Sequence, residues 1–173
     1  MNKSEARSFS LAMRKKFDLN LASINAIDEI INMDIINHYS NIGIYYPIGR
    51  EISILKLLEL FPDKKFYLPI TKDEISFARY KLGDQLVKGP FKTMEPVGDV
   101  VCREEIEVFF IPCVAISKDN KRIGYGKGYY DRYLAGYNGI KIGICYKELS
   151  ELDVLCDSFD VELDYKIKGW LNV

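Results

Sequence analysis

The residues best suited to chemistry form one short segment, Arg122 to Arg132, which reads RIGYGKGYYDR. Gly124, Gly126 and Gly128 occupy alternate positions, so the backbone can adopt positive φ and its N–H groups can converge on an anion. The segment follows an apolar stretch that ends at Pro112, and open α/β sheets bind ligands at such strand ends. We therefore predict a phosphate-binding loop, with a flexible surface turn as the alternative.

The residues around the glycines extend this prediction. Tyr130, Leu134 and Tyr137 recur at helical spacing, which predicts that the loop delivers phosphate oxygens to a helix N-terminus. Arg122 and Lys127 would add positive charge to the same site. The glycine spacing matches neither the Walker loop nor the dinucleotide-binding fingerprint, so the predicted loop belongs to another class of phosphate site.

Carboxylates near this loop could hold a metal ion. Asp131 falls in the first turn of the predicted helix, where the helix dipole favours a carboxylate even without a ligand. Beside a polyphosphate, Mg²⁺ needs only one or two carboxylates, because phosphate and water fill its remaining positions. We predict Asp131 as one magnesium ligand, with Asp160 or Asp164 as the second.

Composition excludes several classes of function. Lys and Arg total 24 against 25 Asp and Glu, so no net basic field would attract nucleic acid or an anionic membrane. His38 is the only histidine, which excludes Ser-His-Asp catalysis and histidine-ligated zinc. The four cysteines form no CxxC pair and no uncharged apolar run approaches the ~20 residues of a membrane span. We expect a reduced, cytoplasmic protein without a nucleic-acid or membrane partner.

The elements that must position these residues are predicted from hydrophobic spacing. The chain has 173 residues and no linker, which predicts one domain over residues 1–173. Several predicted strands are apolar on both faces, as in a buried, largely parallel sheet, so the predicted fold class is a three-layer α/β/α sandwich. The predicted helices cover residues 2–17, 21–38 and 51–61, and the predicted strands cover 42–47, 65–70, 74–80, 106–112, 141–146 and 164–173.

The loop also carries a family resemblance. RIGYGKGYYDRYL, preceded by FFIPCVA, resembles the signature of the 5-formyltetrahydrofolate cyclo-ligase family. The resemblance extends in order to Lys3 and Arg7 near the N-terminus, to the central YYPIGREI and to a closing DxxxD formed by Asp160 and Asp164. It therefore covers nearly the whole chain.

The resemblance implies an enzyme that forms a carbon–nitrogen bond. Members use ATP and Mg²⁺ to convert 5-formyltetrahydrofolate to 5,10-methenyltetrahydrofolate, with release of ADP and phosphate. It also implies the fold of glucosamine-6-phosphate deaminases, ribose-5-phosphate isomerases and CoA transferases. The expected small-molecule partner is the folate, with or without a polyglutamate tail, and a monomer is the default for so small an enzyme.

The resemblance implies roles for two groups outside the loop. Lys3 and Arg7 match nucleotide-binding cations, although like charges four residues apart at a helix start repel each other and oppose the dipole. A bound polyphosphate would remove that cost, and a solvated helix end is the alternative. Glu51 matches a folate-binding carboxylate, which can accept two parallel N–H donors of a pterin, and Tyr46 matches a substrate contact. The alternative is a helix-start glutamate and a strand tyrosine.

The predicted site divides into four sets. The catalytic residues are Lys127, Arg122 and Asp131. The nucleotide-binding residues are Lys3, Ser4, Glu5, Ala6, Arg7, Arg122, Ile123, Gly124, Tyr125, Gly126, Lys127, Gly128, Tyr129 and Tyr130. The folate-binding residues are Tyr46, Glu51, Tyr125, Gly126, Lys127, Gly128 and Tyr129, with one of Tyr129 and Tyr130 expected in the core. The metal ligands are Asp131 and Asp160.

One departure from the family pattern lies just upstream of the loop. Cys113 replaces a glycine, and Ile116 with Ser117 replaces a Phe-Asp pair, so the conformation there could differ. This departure would allow a rival function, a folate- or nucleotide-binding protein without turnover. A second rival is another enzyme class on the same sheet, a sugar-phosphate isomerase-like enzyme that needs no ATP.

Overall fold

The computed structural model describes residues 1–170, and residues 171–173 lie outside the described part of the chain. Its helices are α1 (Lys3–Arg14), α2 (Leu19–Met33), α3 (Lys56–Leu60) and α4 (Tyr129–Tyr133). Its strands are β1 (Asn41–Gly43), β2 (Lys65–Thr71), β3 (Ile75–Tyr80), β4 (Leu86–Lys88), β5 (Met94–Pro96), β6 (Val100–Val101), β7 (Val108–Pro112), β8 (Ala115–Ile116), β9 (Arg122–Ile123), β10 (Ile140–Tyr146) and β11 (Tyr165–Gly169).

The main sheet has the strand order β11-β10-β7-β1-β2-β3-β6. The first five of these strands are parallel, whereas β3 pairs antiparallel with both β2 and β6 at one edge. The hairpins β4-β5 and β8-β9 form two small separate sheets. The predicted α/β class with a largely parallel sheet is confirmed, because buried, β-branched strands with crossovers favour parallel pairing.

Helices cover both faces of this sheet. Aromatic residues of α4 pack against Phe109 of β7, and Ala22 of α2 lies against Gly169 of β11. Pairing places Phe109 beside Lys141 and Gly169 beside Tyr146 of the same strand, β10. Lys141 and Tyr146 are an odd number of residues apart, so their side chains point to opposite faces of the sheet. Helices α4 and α2 therefore lie on opposite faces.

Several predicted boundaries are wrong for local reasons. The helix predicted over 21–38 ends at Met33, because Asp34 adopts a left-handed conformation with φ of 59° and a short 3₁₀ turn follows. The helix predicted over 51–61 begins only at Lys56, since Glu51 belongs to a turn in which its N–H bonds to the carbonyl of Ile48. Elements after the second helix do not alternate strictly either, because β2 and β3 form a hairpin.

The two chain ends differ in how well the sequence predicted them. At α1 the predicted cap is confirmed: Asn2 accepts the N–H of Glu5 at 2.8 Å and the Glu5 carboxylate accepts the N–H of Asn2 at 3.2 Å. The strand predicted over 164–173 occurs as β11, and its last three residues lie outside the described range. Across residues 1–170, no helix is long and apolar enough to cross a membrane.

Candidate active site

A cavity of about 770 Å³ opens at the C-terminal ends of the parallel strands β1, β2 and β7. The N-terminal end of α1, the glycine loop and the segment near Asp160 enclose it together with these strand ends. Such strand ends are the usual ligand site of open α/β sheets, because the connecting loops diverge there and leave a crevice. The cavity brings together residues that are far apart in the sequence.

The glycines of the loop allow arginine side chains to approach the backbone closely. Gly126 has φ of 99°, and a Cβ atom there would lie 3.3 Å from the guanidinium carbon of Arg7. A Cβ atom on Gly124 would lie 2.4 Å from a guanidinium nitrogen of Arg122. Gly128, with φ of 73°, caps the start of the five-residue helix α4. The loop therefore has a defined conformation that favours glycine at Gly126 and Gly128.

Two arginines are fixed by backbone carbonyls. Arg7 Nε donates to the carbonyl of Gly124 at 2.7 Å, and Arg122 Nε donates to that of Pro112 at 2.8 Å. Arg122 also lies over the ring of Tyr130, 4.6 Å from its centroid. Both hydrogen bonds use Nε, so the terminal guanidinium nitrogens can still donate to phosphate oxygens in pairs.

The two predicted lysines have different surroundings. Lys3 Nζ bonds to Asp157 at 2.6 Å and to both oxygens of Asp160 at 3.0 and 3.1 Å. The hydrogen bond to Asp157 is the main reason that the pKa of Lys3 is raised. Lys127 lies over the ring of Phe91 and has no carboxylate within 4.0 Å among residues 1–170. Lys127 therefore has the less compensated charge.

The predicted metal ligands also differ. Asp131 Oδ1 accepts the N–H of Val161 at 3.0 Å, which leaves Oδ2 available to a cation. Both Asp160 oxygens contact Lys3. Asp164 is not part of the cavity wall, because it accepts the N–H of Lys141 at 2.8 Å where β10 and β11 begin. Within the described part of the chain, no group of three or more acidic, histidine or cysteine side chains could hold a metal.

Glu51 lies at the inner wall of the cavity with only 8% of its surface exposed. Its Oε1 accepts the N–H of Ile48 at 2.9 Å. Burial raises the pKa of Glu51 to about 7, although the Ile48 hydrogen bond and the charges of Arg14 and Arg122 oppose that rise. Glu51 is thus a carboxyl group that changes charge near neutral pH.

The upstream departure from the family pattern forms an ordered hairpin. Ile116 of β8 pairs with Arg122 of β9, and Ser117 Oγ accepts the N–H of Lys121 at 3.1 Å. Cys113 is buried, and burial raises the pKa of its thiol to about 11, so it stays protonated. The substituted residues therefore still place Arg122 at the cavity.

Most residues predicted for the site line the cavity. They are Lys3, Arg7, Tyr46, Glu51, Asp160 and the whole run from Arg122 to Asp131. Ser4 and Glu5 are exposed and Ala6 belongs to the core, so these three nucleotide-binding candidates do not contact the cavity. Tyr130 is the loop tyrosine that belongs to the core, whereas the Tyr129 hydroxyl donates to the carbonyl of Lys72 at 2.9 Å. The individual ligand-binding roles stay predictions.

Sequence reasoning missed other residues around the site. Phe91, Thr71, Thr93 and Phe159 line the cavity from segments without a recognisable motif. Arg14 lies just behind Glu51, in a narrow crevice that shares Glu51 with the cavity wall. Arg14 follows Arg7 by two helical turns, and that spacing was a usable signal.

Comparisons with known proteins agree with this geometry. A model of the 5-formyltetrahydrofolate cyclo-ligase family matches residues 4–167. The 5-formyltetrahydrofolate cyclo-ligase of Mycoplasma genitalium is 31% identical over 162 residues, covering 89% of this chain and 91% of that protein. The enzyme of the same name from Haemophilus influenzae is 30% identical over 135 residues, covering 71% and 72%.

Solved structures resemble the whole chain. The 5,10-methenyltetrahydrofolate synthetase of Aquifex aeolicus superposes with a TM-score of 0.82 at 30% identity, covering 98% of this chain and 90% of that one. The synthetase of Mycoplasma pneumoniae gives a TM-score of 0.78 at 28% identity and covers 98% and 99%. The fold of this chain therefore matches that of two solved 5,10-methenyltetrahydrofolate synthetases over nearly its whole length.

Proposed function

This chain belongs to the 5-formyltetrahydrofolate cyclo-ligase family, and from that premise we propose how its cavity closes 5-formyltetrahydrofolate into 5,10-methenyltetrahydrofolate. The reaction forms a carbon–nitrogen bond and uses ATP as co-substrate. The observation that carries the proposal is the convergence of the glycine loop, five cationic side chains and two buried carboxylates on a single cavity. Phosphate and folate can therefore meet in one enclosed space.

Glu51 is the proposed anchor of the folate. A pterin ring presents parallel N–H donors, and an ionised carboxylate can accept two of them. Because Glu51 is buried, each of these hydrogen bonds would form away from bulk water and would be stronger than at the surface. Tyr46, which also lines the cavity, is the proposed neighbouring contact to the bound ring.

The glycine loop and its cations are the proposed phosphate site. Arg7 and Arg122 are already oriented by backbone hydrogen bonds, so little reorganisation would accompany binding of the triphosphate. Lys127 would contact the transferring phosphoryl group, since no carboxylate among residues 1–170 neutralises it. Lys3 would act mainly by holding Asp157 and Asp160 against α1, beside the nucleotide.

Magnesium fits this site through Asp131. Mg²⁺ usually takes one or two protein carboxylates and completes its octahedron with phosphate and water, so a cluster of three protein ligands is not required. Oδ2 of Asp131 is available, whereas Asp160 would have to share its oxygens with Lys3. When bound, the ion would neutralise charge on the phosphate oxygens. We propose Asp131 as its main protein ligand and Asp160 as the second.

The proposed chemistry begins at the formyl oxygen. The formyl group is a weak electrophile, and its oxygen becomes a leaving group only after phosphorylation. Attack of this oxygen on the γ-phosphoryl group would release ADP and give an iminium phosphate. Nitrogen 10 of the folate would then close the ring with loss of phosphate. The protein contributes positioning and charge stabilisation, as in phosphoryl transfer generally.

An absorbance assay tests the proposal directly. Purified protein mixed with ATP, Mg²⁺ and 5-formyltetrahydrofolate should produce the near-ultraviolet absorbance of the methenyl product, together with one ADP per product. Omission of ATP is the control and should abolish the signal. Folded protein that binds both ligands without forming product would instead be a binding protein, and this outcome would refute the proposed reaction.

We further propose the fold relationship to glucosamine-6-phosphate deaminases, ribose-5-phosphate isomerases and CoA transferases. Its support is the run of parallel strands with the ligand cavity at their C-terminal ends. A monomer is proposed as the active unit because it is the default for an enzyme of this size. Light scattering during turnover checks this, and an active dimer with an inactive monomer would contradict it.

A further inference from the structure

Arg14 is a buried cation next to the folate-binding end of the cavity. It belongs to the last turn of α1, and only 5% of its surface is exposed. Its side chain and the carboxyl of Glu51 line the same narrow crevice, and Glu51 also faces the main cavity. Arg14 therefore lies on the side of Glu51 that faces away from the cavity, where a ligand in the cavity would not contact it.

The contacts of Arg14 connect α1 to the glycine loop. Its Nη2 donates to the Tyr125 hydroxyl at 2.6 Å, and its guanidinium carbon lies 5.6 Å from the centroid of the Tyr125 ring. Within residues 1–170, no carboxylate oxygen lies within 4.0 Å of its nitrogens. A buried cation without a direct ion pair destabilises a fold, so a functional reason for keeping it is expected.

Charge supplies that reason, because Arg14 is one of two cations that act on Glu51. Burial favours the protonated form of Glu51, and Arg14 and Arg122 favour the ionised form, which keeps its pKa as low as about 7. The other titratable groups beside Glu51 whose pKa is shifted have it raised mainly by burial, and these groups stay neutral at that pH: Tyr45, Cys113, Tyr125, Tyr130, Cys145 and Tyr146.

We propose that Arg14 is a positioning residue of the cyclo-ligase reaction, which keeps Glu51 ionised for the folate and fixes Tyr125 at the cavity. It acts through these two residues and does not touch either substrate. Through it, the folate-binding carboxylate and the phosphate-binding loop share one support on α1. The inference rests on the proposed folate-binding role of Glu51.

The inference has a pH-dependent consequence. Folate binding needs the carboxylate of Glu51, so the affinity should rise as pH rises through the pKa of that group. Loss of the Arg14 charge would raise that pKa further, and the midpoint of the affinity profile would shift to higher pH. A residue with only a structural role would change the thermal stability and leave this midpoint in place.

The test is calorimetric titration of R14M with 5-formyltetrahydrofolate across the range around neutral pH. We expect the midpoint to rise by about half a pH unit or more, with a several-fold loss of affinity near neutrality that disappears in alkali. R14K keeps the charge and should keep a midpoint close to that of the wild type. R14Q replaces R14M, with the same expected shift, if R14M does not fold.

The control is R103M, because the Arg103 guanidinium also connects segments distant in sequence, by donating to the backbone carbonyls of Tyr133 and Ala135, but lies outside the cavity wall. It should lower the melting temperature without moving the midpoint. Carbon-13 NMR titration of the Glu51 carboxyl in R14M and the wild type measures the same shift without any ligand. An unchanged Glu51 titration in folded R14M overturns the inference, whereas a wild type that binds no folate overturns only the proposed function.

Discussion

At the scale of single residues, the site depends on a few side chains whose charge the fold has altered. Burial raises the pKa of Glu51 to about 7, and Lys3 is paired with Asp157 and Asp160. Lys127 and Asp131 keep charge that a ligand can use, so the reaction should depend most on these two. Their roles can be separated by conservative substitutions.

Replacement of Glu51 by glutamine should stabilise the protein in a pH-dependent way. The folded-state pKa of about 7 lies above the unfolded value, so the stability contributed by the protonated carboxyl is complete in acid and is lost as pH rises through about 7. E51Q should therefore gain up to about 3 kcal/mol over the wild type near pH 8 and little in acid.

Urea unfolding of both proteins at the two pH values checks this prediction. E51Q should also lose folate affinity, because an amide has only one acceptor oxygen and its NH₂ group would face the second N–H donor of the pterin. An equal stability difference in acid and in alkali would contradict the assigned titration. Unchanged folate binding would show that Glu51 has a structural role only.

Asp131 and Asp164 form a matched pair of carboxylates. Each accepts one backbone N–H, but only Asp131 lines the cavity. D131N keeps an oxygen for the N–H of Val161 and loses the charge, so its Mg²⁺ requirement should rise about tenfold or more with a lower kcat. D164N should behave like the wild type in the same magnesium titration. Similar effects from both changes would remove Asp131 as the metal ligand.

At the scale of elements, the glycine loop and helix α1 lie together at the proposed phosphate end of the cavity. α1 contributes Lys3, Arg7 and Arg14, and its capping box fixes where the helix begins. The loop contributes backbone that arginine side chains can approach without obstruction by a Cβ atom. In the proposed phosphate site each element would need the other, because the carbonyl of Gly124 in the loop orients Arg7 of α1.

Alanine at Gly126 tests this dependence. A left-handed φ of 99° disfavours alanine, and the new Cβ atom would press on Arg7 at 3.3 Å. We expect a stability loss of about 1–2 kcal/mol and at least about a tenfold loss of kcat/KM for ATP. Gly83 has φ of 93° with nothing within 4 Å of its Cβ position, so G83A is the control for backbone strain.

G83A should lose comparable stability and keep its activity, since Gly83 is not part of the cavity wall. Initial rates over a range of ATP concentrations and thermal melts distinguish the two variants. If G126A retained the wild-type KM for ATP, the loop would have no phosphate-binding role. Equal losses of activity in both variants would point to strain alone.

At the scale of the whole molecule, the cavity depends on close packing at the centre of the sheet. Gly43 of β1 lies beside Phe109 of β7, and a Cβ atom there would meet the phenyl ring at 2.4 Å. Phe109 also packs against Tyr133 and Tyr137, which follow the glycine loop. The centre of the sheet thus supports the segment after the loop through edge-to-face contacts between aromatic rings.

The variant G43A should therefore lower stability by about 1–3 kcal/mol through overpacking. A displaced Phe109 would also shift Tyr133 and Tyr137, which follow the glycine loop. Turnover should therefore fall as well. G98A is the matched control, since its Cβ would have an ordinary contact of 3.6 Å with the carbonyl of Arg79. Calorimetric melting and the methenyl assay measure both effects, and a fully stable G43A would contradict this account of the packing.

The sequence by itself determined the chemistry of this protein and its fold class. Alternate glycines, flanking cations and the first-turn Asp131 are adjacent in the chain, so their spacing alone predicts a phosphate loop. Apolar strands such as Val108–Pro112 are continuous runs in the sequence, so the buried sheet could be predicted from them as well. These features are local, and local patterns can be recognised without knowledge of the tertiary structure.

Only the tertiary structure decided which charges are available to a ligand. Lys3 lies 154 residues before Asp157 in the chain, yet the two form an ion pair. Asp164 has the same residue type as Asp160 and lies outside the cavity, and Arg14 reaches Glu51 only because α1 packs beside the turn that carries it. Burial and charge pairing depend on neighbours distant in sequence, so the spacing of Arg7 and Arg14 could indicate a shared helix face but not the raised pKa of Glu51 or the position of Arg14 behind it.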